Sequence, residues 1–294
     1  MRVLNFGSLN LDYVYGVDHF VLPGETQDSL SRSVKHGGKG LNQSIALARA
    51  GAVVSHAGCI GTGGEPLEVL LRENGVDTSC LRPVEEMQGH TVIQVNPAGE
   101  NCILLYGGSN RCVTGEQIRE TLSRFSAGDW LVLQNEINEL PAIVRLAAEK
   151  GLRIVLNPSP YNSALDDVDF SRLSWLLVNE IEMEQISAEK EPEKAWEKLH
   201  SQYPELSLLI TLGSKGSLAF RVSGGQTEHA QQDAFRVQAV DTTAAGDTYT
   251  GYFIAGLMEG LPLKKCMERA SKAAAVSVTR PGAADSIPRK NEID

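Results

Sequence analysis

The sequence predicts an α/β protein of three layers, a mainly parallel central sheet with helices on both faces, joined by a small additional β-sheet. Three observations carry that expectation. Short apolar runs of strand length alternate with longer stretches of helical periodicity, and such alternation builds parallel sheets covered on both sides. The segment 91–106 breaks the rhythm with a hairpin. Two strand-like stretches between the first strand and the first helix form a second β insertion, which can pair with that hairpin.

Val3–Phe6 is an apolar run closed by Gly7-Ser8, a buried strand whose carboxyl end presents Asn10 and Asp12. Open α/β sheets hold ligands at the carboxyl ends of their strands, so both polar residues are placed for contact. Residues 13–17 and 29–34 are the strand-like pair. Residues 42–50 carry Ile45, Leu47, Ala48 and Ala50 at helical spacing, with Gly51 where a helix-ending glycine belongs. This first helix therefore begins beside His36-Gly37-Gly38-Lys39-Gly40. Strands at 91–95 and 101–106 flank the turn Asn96-Pro97-Ala98-Gly99-Glu100. The insertions, about 12–35 and 90–108, are expected to form a lid. Further strands follow at 130–133, 154–156, 175–178 and 208–210, with helices at 140–150, 193–202, 247–259 and 263–278. No repeat or linker divides the chain, so one domain over 1–294 is expected.

With 42% apolar and 22% charged residues, 294 residues suffice for one large core. An excess of 37 acidic over 27 basic residues gives a formal charge of −10, which repels polyanions and anionic lipid. Nucleic acid and membrane surfaces are therefore not expected as partners. Cys59, Cys80, Cys102, Cys112 and Cys266 are scattered without a CxxC pair, so neither a disulfide framework nor a zinc site is indicated. The start of the chain lacks an apolar core of signal-peptide length, and no run approaches a membrane span. Reduced thiols and a cytoplasmic location are the expectation.

The most informative segment runs from Val240 to Gly251. Ala244, Ala245 and Gly246 leave backbone N–H groups unobstructed at a helix start, where those donors lack intrahelical partners and the dipole favours anions. They form a candidate phosphate cradle. Asp247 at its mouth is placed to accept the proton of an attacking hydroxyl, although an aspartate near a helix start ordinarily serves as a cap. The Gly37-Gly38-Lys39-Gly40 turn is no P-loop, because Gly40 follows the lysine and Ser33 stands where the first glycine is required. Its glycines permit close backbone approach, and Lys39 and Asn42 offer donors to hydroxyl groups. Gly61-Thr62-Gly63-Gly64 fails the dinucleotide-binding spacing at Pro66.

Gly37-Gly38-Lys39-Gly40-Leu41-Asn42-Gln43 and Asp241-Thr242-Thr243-Ala244-Ala245-Gly246-Asp247 together resemble the two signatures of the PfkB carbohydrate kinases. The likeness runs along essentially the whole chain, through Gly7 to Asp12, Pro23 to Thr26, Asn157 to Pro160, Asn179-Glu180, Thr211 to Gly216 and Thr279 to Pro288. It implies a three-layer α/β/α fold with a β lid and an ATP-dependent kinase acting on a sugar hydroxyl. It further implies sugar contacts from Asn10, Asp12, Gly38, Lys39, Asn42, Glu136 and Asp247. The base at Asp247 and the anion hole at Ala244, Ala245 and Gly246 agree with the reading of the residues themselves. Nucleotide contacts are implied for Asn179, Thr211, Gly213, Ser214, Gly216, Gly246 and Ser271, the last standing where relatives often carry a larger polar group.

The same resemblance places Glu182, three residues beyond Asn179, near Mg²⁺ and its waters. A monovalent cation, usually K⁺, is implied beside the anion hole, with oxygens from Asp241, Thr243, Ser277, Arg280, Gly282 and Ser286, mostly as backbone carbonyls. A homodimer through the lid is implied as well. Three rivals remain at this level: a kinase for another pentose, a ketohexose or a nucleoside; a sugar sensor without transfer; and a nicotinamide-dependent oxidoreductase, for which no GxGxxG follows the first strand.

Overall fold

A computed structural model describes residues 1–293. In chain order it contains β1 (Val3–Phe6), β2 (Asn10–Gly16), β3 (Ser31–Gly37), α1 (Lys39–Arg49), β4 (Val54–Thr62), α2 (Glu65–Glu73), β5 (Asp77–Met87), β6 (His90–Val95), β7 (Asn101–Tyr106) and α3 (Gly115–Ser123). Then follow β8 (Trp130–Gln134), α4 (Leu140–Glu149), β9 (Arg153–Asn157), β10 (Trp175–Asn179), α5 (Glu180–Ser187), α6 (Pro192–Gln202), β11 (Ser207–Thr211), β12 (Ser217–Ser223), β13 (Gln226–Gln232), α7 (Ala245–Met258) and α8 (Leu263–Ser277).

Nine strands form one sheet in the order β13-β12-β11-β10-β9-β8-β1-β4-β5. Pairing is parallel from β11 to β5 and antiparallel only where β12 and β13 extend one edge. The alternation of strand side chains builds the layers. Leu4, Phe6, Leu131, Leu133, Leu176 and Val178 enter one core with residues of α3 to α6, while Val3, Trp130, Val132, Trp175 and Leu177 enter the other with α1, α2, α7 and α8. Trp175 meets Phe253 of α7 edge to face, with ring centroids 5.1 Å apart. By the same period of two, Asn5, Gln134 and Asn157 fall on the α1/α7 face.

The second sheet, β3-β2-β6-β7, joins the two insertions as expected, with β2 and β6 parallel and antiparallel neighbours on either side. Strand order reverses around β1, whose neighbours are β4 and β8, so a crevice opens at the carboxyl ends of β1 and β8.

Where the structure departs from sequence expectation, local chemistry supplies the reason. Helix α1 starts at Lys39 rather than at 42, because Gly38 takes φ 94° as N-cap and lets the chain turn directly from β3 into the helix. Elements β4, α2 and β5 fill 51–90, where no expectation had been placed, and β5 is a half-exposed edge whose charged residues hide its periodicity. The polar strand β13 exists because β12 pairs with all seven of its residues. Helix α7 is almost wholly buried from Asp247 to Gly256 and packs closely on α1. A Cβ on Gly251 would lie 2.4 Å from Ala46 Cβ and 2.8 Å from the Leu47 nitrogen.

Candidate active site

The crevice is lined by residues that immediately follow strands. Ser8 and Asn10 follow β1, Glu136 follows β8, and Asn157, Asn179 and Thr211 end β9, β10 and β11. Two adjoining cavities open there. One, about 700 Å³, lies between the Thr211 to Gly216 turn, the strand-less segment 234–239 and α8. The other, about 240 Å³, is bounded by Lys39, Asn157, Glu182, Ala244 and Asp247. Asn179, Thr211, Thr242, Ala245 and Gly246 line both, so the start of α7 stands where they meet.

That helix start is bare. Its N-cap is Ala244, at φ 60°, and no side chain caps it. The Asp247 carboxylate, nearly buried, is engaged elsewhere: Asn42 Nδ2 donates to its Oδ2 at 3.0 Å and Gln43 Nε2 to its Oδ1 at 2.9 Å. The capping role that ordinarily explains an aspartate at this point is therefore not what its side chain does. Of its first amides, that of Ala245 donates to the Thr242 carbonyl at 3.3 Å, while those of Gly246 and Asp247 have no acceptor among the described residues and are available to an anion, with a carboxylate beside them that can take a proton.

Lys39, half-buried, faces three carboxylates. Burial works against its charge, but Asp247, Glu136 and Glu182 outweigh that and hold its pKa above the ordinary lysine value. Glu136 accepts hydrogen bonds from the Ser8 hydroxyl and, at 2.9 Å, from the Lys39 amide. Burial pushes its carboxyl up, partly offset by Lys39 and those bonds. Asp12 is likewise raised by burial, against the opposing 2.6 Å bond from Thr91 Oγ1 and the charges of Lys35 and His36. Gly37 lets it approach, since a Cβ there would fall 2.0 Å from Asp12 Oδ2. Asn10 is fixed through its Oδ1, which accepts from Asn110 Nδ2 at 2.7 Å. Asn10, Asp12, Gly38, Lys39 and Glu136 thus form a contiguous polar wall, although of these only Lys39 lines a cavity.

On the large-cavity side, Asn179 and Glu182 form a reciprocal capping box at the start of α5, each side chain bonded to the other's backbone N–H. Glu182 is buried by this arrangement yet borders the small cavity. A single carboxylate suits Mg²⁺, which keeps several waters and leans on phosphate oxygens. Gly213, Ser214 and Gly216 form the turn after β11. Ser271 Oγ is spent on the Asp233 carbonyl at 3.4 Å, and the cavity wall beyond it is apolar, with Phe235, Val237, Ala274 and Val278.

Behind the helix start, Asp241 ties two loops together. It accepts from the Thr243 amide (2.9 Å) and hydroxyl (2.6 Å) and from the Gly282 amide (2.9 Å). These bonds overcome the effect of burial and hold its carboxyl below the usual range. The Ser277 hydroxyl turns to the Ala274 carbonyl and Arg280 to Glu292, so their side chains are not directed at this spot. Gly282 and Ser286 are buried, and among the described residues no donor reaches their carbonyls. Such carbonyl oxygens suit a weakly hydrated monovalent cation, and the residues present fit one.

The polar partners Gln43, Ser8, Thr91, Asn110, Gln134 and Asn157 were not singled out individually from sequence. Asn5, Gln134 and Asn157 do carry a signal there, as polar residues inside or ending strongly apolar strands.

A bare helix start between two cavities, an adjacent carboxylate and a polar wall opposite define an enzyme that moves a phosphoryl group to a small hydroxylated acceptor. The model of the pfkB family carbohydrate kinases matches residues 2–290. The chain is 34% identical to the ribokinase of Haemophilus influenzae, over 97% of this chain and 95% of that one. Its structure superposes with TM-score 0.87 on the crystal structure of ribokinase from Cryptococcus neoformans in complex with ADP, at 33% identity, covering 99% of this chain and 98% of that one. With Arabidopsis thaliana ribokinase complexed with ribose and ATP the TM-score is 0.86, at 25% identity, covering 99% and 97%. The chain belongs to the pfkB family of carbohydrate kinases, and it is an ATP-dependent sugar kinase with the ribokinase-like α/β fold.

Proposed function

We propose that this chain transfers the γ-phosphoryl group of ATP to ribose, giving ribose 5-phosphate. The observation that carries the reading is Asp247 fixed by two amide donors beside the uncapped start of α7, with the Asn10 to Glu136 wall on the sugar side. Relatives at 34% and 33% identity over nearly their whole length bear the name ribokinase, which selects ribose among sugars.

The sugar is held by Asn10, Asp12, the Gly38 backbone, Lys39, Asn42 and Glu136. ATP occupies the larger cavity against Asn179, the Thr211 to Gly216 turn, Gly246 and Ser271, with its γ-phosphate toward Ala244, Ala245 and Gly246. Asp247 takes the hydroxyl proton as the oxygen bonds to phosphorus and the bond to the β-phosphate oxygen breaks, releasing ADP. The amides stabilise charge on the phosphoryl oxygens. Glu182, at the small cavity, would hold Mg²⁺ through its waters, and the ion would supply neutralisation of phosphate charge. The small sheet acts as a lid that keeps water from competing as acceptor. A coupled ATP-consumption assay across ribose, deoxyribose, fructose and nucleosides tests the reading: ribose should give the highest kcat/KM, and better turnover of another acceptor would displace it. No ADP release with any of them would leave a sensor instead.

K⁺ between the 241–243 and 280–286 loops would brace the anion hole. Exchanging K⁺ for Na⁺ at fixed ionic strength should lower kcat several-fold, and equal rates in both salts would remove the cation. A homodimer through the small sheet is supported by its edge strand β7, where Ile103, Leu104, Leu105 and Tyr106 are all exposed. Sedimentation should give the mass of two chains, reduced to one by Leu104→Glu; a monomeric unaltered protein would end the idea. A cytoplasmic location belongs to the same proposal; the five cysteines form no disulfide, and among the described residues no helix is long and apolar enough to cross a membrane.

A further inference from the structure

Three carboxamides lie in a row in the core, where an apolar sheet face would be expected. Asn5, Gln134 and Gln43 are each fully buried. The strand alternation that sends Val3, Trp130 and Val132 toward α1 and α7 sends Asn5 and Gln134 there too, directly beneath the catalytic carboxylate. Burying an amide is costly unless its groups are bonded, so this row has to be explained by what it holds.

Its bonds run in one direction. Asn5 Nδ2 donates to the Gly40 carbonyl and to Ser44 Oγ, both at 2.8 Å. Gln134 Nε2 donates to Asn5 Oδ1 at 2.9 Å and to Gln43 Oε1 at 2.7 Å. Gln43 Nε2 then donates to Asp247 Oδ1 at 2.9 Å and to Asn157 Oδ1 at 3.2 Å. A carboxylate can only accept, so the nitrogen of Gln43 must face Asp247. Its oxygen is then directed at Gln134, whose amide is oriented by Asn5, whose own amide is anchored on α1. Each link forbids a flip of the next. Asn42, the other donor to Asp247, belongs to no such chain: its Oδ1 has no partner among the described residues, and neither has Gln134 Oε1, so Gln134 is held by its two donations alone.

We infer that Gln43 is a positioning residue for the catalytic base: it fixes the Asp247 carboxylate toward the acceptor hydroxyl, and Gln134 and Asn5 set the orientation of Gln43. It lines neither cavity; of its two acceptors, Asn157 borders the small cavity, and Asp247, at the shorter distance, is the one it positions. The assignment rests on Asp247 being the base, as proposed above.

The test is a double-mutant cycle with Gln43→Met, which keeps an unbranched side chain and removes all three hydrogen bonds of the amide. In the otherwise unaltered enzyme, Gln43→Met should lower kcat by about 10- to 100-fold, the scale of misplacing a reacting group, with sugar KM and the melting temperature little changed. In an Asp247→Asn background the same change should cost less than about twofold, since the carboxylate it positions is gone. Equal losses in both backgrounds would mark Gln43 as merely structural and overturn the inference, as would wild-type kcat in the single variant. If Gln43→Met does not fold, Gln134→Met is measured in the same cycle, with a smaller but again background-dependent loss expected; equal losses, or none, count against the inference in the same way. If Asp247→Asn alone retains near-normal turnover, the underlying reading fails whatever Gln43 does, so the two failures are distinct.

Discussion

Asp247→Asn should lower kcat by about 10³-fold, roughly 4 kcal/mol of barrier, while sugar affinity stays within a few-fold of the unaltered enzyme. The variant is informative because the surroundings can accept it. Asparagine keeps the size of the side chain but presents one donor where aspartate had only acceptors. Gln43 cannot turn to meet that donor, since its amide is locked by Gln134. Asn42 can, because its Oδ1 is free to be swung inward. The new side chain therefore places its oxygen toward Gln43 and its nitrogen toward Asn42, and the pocket keeps its form without its base. Steady-state kinetics beside calorimetric titration of the sugar would separate the two effects. A kcat within tenfold of normal would remove Asp247 from the chemistry.

Gly246→Val should abolish most turnover, by at least about 10²-fold, without disturbing the fold. A Cβ at Gly246 would meet no other atom within 4 Å, and a helix start tolerates a side chain well. That open space is the shared wall of the two cavities, so the added carbons would stand where a transferring phosphoryl group has to pass the amides. The melting temperature should move by no more than a few degrees, while ATP affinity and kcat fall together. One turn and a half further along α7, Gly251 has the opposite character, with Ala46 and Leu47 in the way of any Cβ; there a substitution strikes packing rather than catalysis. A fully active Gly246→Val enzyme would show that the helix start does not face the reaction.

Much of this was legible in the residues. Ala244-Ala245-Gly246-Asp247 marks an uncapped helix start because small side chains cannot obstruct their own amides, and the strand ends at Phe6, Leu133 and Val178 locate the crevice because continuous apolar runs end where the sheet does. The small sheet followed from the hairpin turn at 96–100. What stayed hidden depends on contacts distant in sequence. Strand β13 is polar but for Ala230 and is a strand by virtue of its partner. Asn110 and Thr91 act by holding Asn10 and Asp12, a relation no local pattern encodes. Glu182 was legible only as a neighbour of Mg²⁺, and the structure shows a capping carboxylate that also borders the small cavity. The oddity of Asn5 within Val3-Leu4-Asn5-Phe6 was visible, but its meaning needed Gln134 and Gln43 in three dimensions.

The bond from Asn42 to Asp247 spans 205 positions. Near the far end of α1, Arg49 donates to the carbonyls of Ala284 and Ile287. The first fifty residues and the last fifty therefore clasp each other directly. During synthesis the Asn10 to Lys39 part of the polar wall therefore emerges long before Asp247, the carboxylate that Asn42 and Gln43 hold. A copy truncated before Ala244 would carry that part of the wall without the start of α7 or the carboxylate beside it.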